Sequence, residues 1–242
     1  MASDDRIDLY LALNRLAPIF RFTPEVVNAL VASARIGTWK GGRTKARSSN
    51  GSTDVHLVIH GCVVVEMLAS QVLSSGKTKL QGGIMKLVPA GELFCLSPVP
   101  ESRPYELRAR AHARANGPGV AAVATWTSEA MMELVTLLGP EGNFRLLTES
   151  WLLLSRVSEE REVLLALSVV DRLRFLLPRL ARRFPAEHEK GILIDLKLPN
   201  PFLGKLIGAN RSTVSRALGR LVKSGEVIRI KDLIVLRTRG RA

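Results

Sequence analysis

Cysteine is almost missing from this chain: Cys62 and Cys95 are the only two in 242 residues. Two thiols exclude a disulfide framework, a four-thiolate metal site and a cysteine-ligated iron–sulfur cluster. Histidine is just as scarce. His56, His60, His112 and His188 are scattered along the chain, with no His-x-His pair near a carboxylate, so nothing points to a haem, another metal or a catalytic cluster. Long apolar runs are lacking too; none approaches the roughly 20 residues that cross a bilayer. The N-terminal MASDDRIDLYLALNRL is amphipathic and acidic and has no secretory core, so a cytoplasmic protein is expected. Finally, acidic residues are scarce at one end. From 168 to 242 there are 17 Lys/Arg against 6 Asp/Glu, whereas 1–167 holds 18 against 16. The net charge of +13 therefore sits almost wholly on the last third, which implies a polyanion-binding part beside a part with another task.

What is present in that basic third is a helix-turn-helix pattern. The stretch Pro201 to Arg220, PFLGKLIGANRSTVSRALGR, reads as two short helices around a turn at Gly208, Ala209 and Asn210. Asn200 is expected to cap the first helix and Asn210 the second. Leu203, Leu206 and Ile207 face inward from the first; Val214, Ala217, Leu218 and Leu221 form the buried stripe of the second. Arg211, Ser212, Ser215 and Arg216 are left on the outer face. Arginine's fork fits the O6 and N7 acceptors of guanine, so Arg211 and Arg216 are the expected base readers, with Ser212 beside them. Asn210, Thr213 and the helix N-terminus suit phosphate, and Lys205, Lys223, Arg229 and Lys231 are expected to add sequence-independent affinity for double-stranded DNA. Upstream, Ser168 caps a helix over 169–184 and Gly191–Leu198 alternates like a strand. Downstream, Val227–Ile230 and Leu233–Leu236 flank Lys231-Asp232 as a hairpin, a wing.

The rest of the chain has a different rhythm. Residues 5 to 33 look helical, with a break at Pro18 and a restart at Thr23-Pro24-Glu25. Residues 41–54 read as a polar, Gly/Ser-rich loop or a mobile hairpin. From Val55, VHLVIHGCVVVEML is a pair of strands divided at His60-Gly61, and Ile84–Val88, Tyr105–Ala111 and Val120–Ala124 continue the series with Gly/Pro turns between, as in a small antiparallel barrel or roll. A helix follows from Thr127 to Leu138, ended by Gly139-Pro140, and then a long one from Glu141 to about Leu167. Leu146, Leu153, Val157 and Leu164 form one stripe on it; Leu147, Trp151, Leu154 and Leu165 form another. Two apolar stripes need two partners: the roll, and the same helix of a second subunit. The expected architecture is α+β, in three parts: 1–139 a roll with flanking helices, 140–167 a dimerisation helix, and 168–242 a winged helix-turn-helix.

The strand–Gly–strand run, the long helix, the capping Ser168 and the module GILIDLKL…LGKLIGANRSTVSRALGRLVKSGEVIRI together resemble the Crp/Fnr superfamily of bacterial transcription factors, and the tail looks closest to its nitrogen-regulator branch. IG-x-x-R-x-[ST]-V-x-R-x-L-x-x-L is specific for that family's recognition helix. The resemblance covers most of residues 50–236. It implies a cupin-like sensor roll of the cyclic-nucleotide-binding-domain type, a homodimer joined through the long helix, a palindromic promoter site and contact with RNA polymerase. It also puts Arg211, Ser212 and Arg216 on base-contacting positions. Control would pass through the long helix and the Leu167-Ser168 joint. The roll departs from the cyclic-nucleotide pattern: Gly91-Glu92-Leu93-Phe94 runs into Cys95-Leu96-Ser97 where binders carry Arg-Ser or Arg-Thr. Cyclic AMP is therefore not implied. A small anionic effector would instead meet Glu92, Leu93, Phe94 and Arg103, with Val157 and Ser158 closing over it. A ligand-independent regulator and a nucleoid-type binder without sequence choice fit the same residues, and a cupin-like enzyme is the remote alternative.

Overall fold

The computed structural model describes residues 2–42, 45–47, 54–72, 78–96, 105–115, 117 and 119–237. Two helices, α1 (Ala2–Phe20) and α2 (Pro24–Ser33), come first. The expected break at Pro18 does not occur: the helix runs on to Phe20 with Pro18 inside its last turn. The restart is as expected, with Thr23 Oγ1 accepting from the Val26 N–H and Pro24 in the first helical turn.

Eight strands follow: β1 (Arg35–Lys40), β2 (Ala46–Arg47), β3 (Val55–His60), β4 (Cys62–Val72), β5 (Thr78–Pro89), β6 (Leu93–Cys95), β7 (Tyr105–Ala111) and β8 (Val120–Trp126). They pair antiparallel in two four-stranded sheets, ordered β1-β8-β3-β6 and β2-β7-β4-β5. The sheets face each other across an apolar interior of Trp39, Val58, Val63, Val65, Val88, Phe94, Ala109, Ala111, Ala121 and Val123. Strand periodicity explains why VHLVIHGCVVVE is nearly continuous in apolar residues rather than alternating. Val58 points inward while Leu57 and Ile59 point out to α1 and α2. On β4, Val63 and Val65 point inward, whereas Cys62 and Val64 point out to the helices of the C-terminal module. Both outer faces are covered, so both must be apolar.

Helix α3 (Ser128–Ala166) is two helices meeting at Gly139 (φ 64°, ψ −179°), where the Gly-Pro pair was expected to end one and begin the next. Helix α4 (Val169–Arg183) starts on Ser168, whose Oγ accepts from the Asp171 N–H. Then come β9 (Pro185–His188), β10 (Gly191–Ile194), α5 (Asn200–Ile207), α6 (Arg211–Lys223), β11 (Val227–Ile230) and β12 (Leu233–Leu236). The last sheet is ordered β11-β12-β10-β9 and antiparallel. Two expectations are corrected here. The strand expected over 191–198 ends at Ile194, because the Asp195 and Leu196 amides turn back to the carbonyls of Phe184 and Ile194, and its unforeseen partner is β9. Asn200 is not the cap of α5 but its first residue; Pro199 stands at the cap, and Asn200 Oδ1 instead accepts from Arg229 at 3.4 Å.

The module's core is continuous with the roll. Leu173, Leu177, Leu180, Leu203, Ile207, Val214, Ala217, Leu218 and Leu221 pack together with Cys62, Val64 and Leu87 of the second sheet. Burial pushes the Cys62 thiol up to about 12, so it is an inert apolar contact.

Candidate nucleic-acid interface

The recognition-type helix is built from the turn outward. Gly208 takes a left-handed conformation (φ 66°) that ends α5. Gly204 lies against the returning chain: a Cβ there would come within 2.4 Å of the Ala209 carbonyl oxygen. These two glycines let the helices cross closely enough for Leu203, Ile207, Val214 and Leu218 to share one core. Asn210 then opens α6, its Oδ1 accepting from the Thr213 N–H and the Ser212 hydroxyl, both at 2.8 Å. That oxygen is committed to the cap, and the remaining free amides of the helix start point outward.

The expected buried stripe, Val214, Ala217, Leu218 and Leu221, is buried in full. Asn210, Arg211, Ser212, Ser215 and Arg216 line one open surface groove. Among the described residues neither Arg211 nor Arg216 has an ion-pair or hydrogen-bond partner. A second groove, lined by Ser168, Val169, Val170, Thr213, Arg216, Ala217 and Arg220, joins the start of α4 to the same helix. Arg220 was not among the expected contacts; its position one turn beyond Arg216 was the available signal.

The other basic residues divide. Lys231 is exposed at the wing turn with φ 52°. Lys205 was expected to serve DNA phosphates, but α5 turns it toward the roll, with Nζ 3.7 Å from Glu66 Oε1. Arg229 is corrected likewise: it donates to the Leu198 carbonyl at 2.8 Å and lies 3.7 Å from Asp232 Oδ1, and burial lowers its pKa.

Ion pairs and hydrogen bonds join module to roll. Arg110 donates twice to Glu66, both at 3.1 Å. Burial alone would raise the Glu66 carboxyl, yet Arg110 and Lys205 hold it below the ordinary value. Arg183 reaches Glu92 at 2.5 Å, and Arg114 pairs with Asp195. His112 is buried, stacks on Phe202 at 4.2 Å between centroids and is bonded to the Lys197 carbonyl through Nε2; burial lowers its pKa. At the joint, one guanidinium serves three carbonyls: Arg172 donates to Leu165, Leu167 and Ile207.

Of the expected effector set, the three residues whose side chains are described, Glu92, Leu93 and Phe94, face different surroundings. Glu92 is committed to Arg183 and Lys86. Phe94 fills the roll interior, stacked on buried His56, while Leu93 packs on the opposite side with α1 and α2. Arg103 lies outside the described residues, as do the side chains of Val157 and Ser158, and those of Leu153 and Leu164 in the dimer stripe. Leu146 is half-buried. Of the second stripe, Leu147, Trp151 and Leu165 are each more than 70% exposed, and Phe144 beside them is 70% exposed, while the Leu154 side chain lies outside the described residues. Among the described residues no three His, Cys, Asp or Glu side chains converge on a metal position, and no helix is long and apolar enough to cross a membrane.

Residues 171–240 match the model of the Crp-like helix-turn-helix domain. The C-terminal module is thus similar to the Crp-like helix-turn-helix domain, and the whole chain has the fold of solved Crp/Fnr regulators. Similar solved structures include a CooA double mutant from Carboxydothermus hydrogenoformans (TM-score 0.60, 18% identity, 91% of this chain and 95% of that one). The c-di-GMP-responsive global regulator CLP of Xanthomonas campestris matches with TM-score 0.60 and 19% identity over 89% of this chain and 100% of that one. A CRP-family transcriptional regulator of Thermus thermophilus matches at 0.55 and 17% over 84% and 92%. No curated protein matches the sequence.

Proposed function

We propose that this chain is a homodimeric, sequence-specific transcription regulator of the cytoplasm, not an enzyme, that reads a two-fold promoter site and acts with RNA polymerase. The observation that carries the reading is the outer face of α6, where Arg211 and Arg216 stand exposed, and unpaired among the described residues, beside a capped helix N-terminus. A helix of this shape enters the major groove, and unpaired arginine forks find their best acceptors on guanine. Ser212 and Ser215 border the same groove, and Asn210, Thr213 and Lys231 are the phosphate-side contacts. Dimerisation rests on α3: Phe144, Leu147, Trp151 and Leu165 leave large apolar surfaces in water, and a second copy of the helix covers them. Leu146, with Leu153, Val157 and Leu164, belongs to the same helix pair. In this reading 1–139 is the regulatory part, 140–167 the dimerisation helix and 168–242 the reading part.

The test is binding-site selection from random duplexes followed by footprinting. The expected result is one protected region with two symmetric half-sites about one helical turn, roughly 34 Å, apart. Protection without sequence preference overturns the reading in favour of a nucleoid-type binder.

A further inference from the structure

We propose that the cleft between the roll and the wing binds a small multivalent anion of the phosphate class. The cleft, of about 690 Å³, is walled by Lys40, Arg110, His112 and Gly119 from the roll and by Lys197 and Asp232 from the module. Its size is that of a small-molecule site, and such sites favour domain junctions.

Its walls are fixed. The Lys197 N–H donates to the Ala113 carbonyl at 3.1 Å, and the Lys197 carbonyl is bonded to His112 Nε2 at 2.9 Å. Lys197 is thus strapped to the roll by its backbone while its side chain is left exposed. On the other wall the Gly41 N–H bonds the Gly119 carbonyl, which holds the end of β1 and so Lys40.

The charge count points to an anion. Glu66 already neutralises Arg110, which uses Nε and Nη2 on it. Asp232 lies against Arg229. Lys40 and Lys197 have no carboxylate partner among the described residues, so the cleft lining carries two uncompensated positive charges, one from the roll and one from the module. Two like charges held across a recess are relieved by one dianion, which would also bridge roll and module. The roll interior, the other candidate for a ligand, is filled by His56 stacked on Phe94, with Trp39 edge-on to both rings. DNA backbone is the rival source of phosphate, but the cleft shares no lining residue with the groove of Arg211 and Arg216.

The experiment uses the full chain and inorganic pyrophosphate, with ionic strength held constant by sodium chloride. Thermal unfolding without DNA should shift upward by roughly 5 °C near 100 times the dissociation constant. The double variant Lys40→Ala/Lys197→Ala should melt as the parent does without pyrophosphate and lose the shift. The single variants Lys40→Gln and Lys197→Gln should each bind pyrophosphate several-fold more weakly, and Arg211→Ala/Arg216→Ala should keep the full shift. No shift in the parent at millimolar pyrophosphate, or an equal shift in the double variant, overturns the site. So does a double variant that loses random-duplex affinity as strongly as Arg211→Ala/Arg216→Ala, since the lysines would then serve DNA. Because the melting readout needs no DNA, its failure is separable from failure of the footprint.

Discussion

Two regions of the C-terminal module treat their charge in opposite ways. Away from the reading surface, Arg174 grips Glu226, Arg183 grips Glu92, Lys205 leans on Glu66 and Arg172 holds three carbonyls. On the outer face of α6, Arg211 and Arg216 hold nothing among the described residues. The first set is committed to shape. The second is left for a partner, and an exposed, unpaired guanidinium costs the fold little to keep. Net positive charge therefore marks the module as a whole, whereas the outer face of α6 is where two arginines stand together without a partner among the described residues.

The comparison breaks first at its apolar base. Phe202→Ala removes the ring between His112 and the module core, and should cost about 3 kcal/mol of stability in urea unfolding. A loss below about 1 kcal/mol would mean that the roll does not support the module. On the other face, Arg216→Ala should lower affinity for the selected site by roughly tenfold to a hundredfold, by the scale of a bidentate base contact, while random duplex changes little and the melting point holds. Equal losses on both DNAs would sink the base-reading role. Between the faces, Glu66→Gln leaves Arg110 and Lys205 against a neutral amide. It should cost only about 1 kcal/mol, since the group keeps some solvent, and leave specific DNA affinity unchanged.

The smallest expected effect is a pH slope. His112 has a lowered pKa, so the folded state prefers it neutral; the stability this contributes is complete above the ordinary value of 6.5 and is lost as pH falls below it. The depressed Glu66 contributes stability that is lost further down, below its ordinary 4.5. Melting points taken from about pH 7.5 to about pH 5 should therefore fall, and His112→Gln should flatten part of that fall. Buried His56, lowered by the same cause, accounts for a remainder. An unchanged slope would show that His112 does not titrate with unfolding.

Much of this was legible in the residues. The caps at Thr23, Ser168 and Asn210, the stripe Val214-Ala217-Leu218-Leu221 and the wing turn depend on neighbours a few positions away, and local patterns report local partners. The readings that the fold recasts have one physical cause. Lys205 looks like a phosphate contact because nothing nearby in the sequence opposes it; Glu66 is brought up only by folding, as is the Leu198 carbonyl that Arg229 holds. Glu92 misled in the same way, its partner Arg183 arriving from another element. Strand β9 went unseen because PAEH carries no apolar alternation and is ordered by pairing with β10.

The three carbonyl acceptors of Arg172 belong to the end of α3, the joint after it and the end of α5. The module therefore does not hang from Leu167-Ser168 like a door on a pin. Any swivel there must first release a charged clasp that ties three segments of the chain to one side chain.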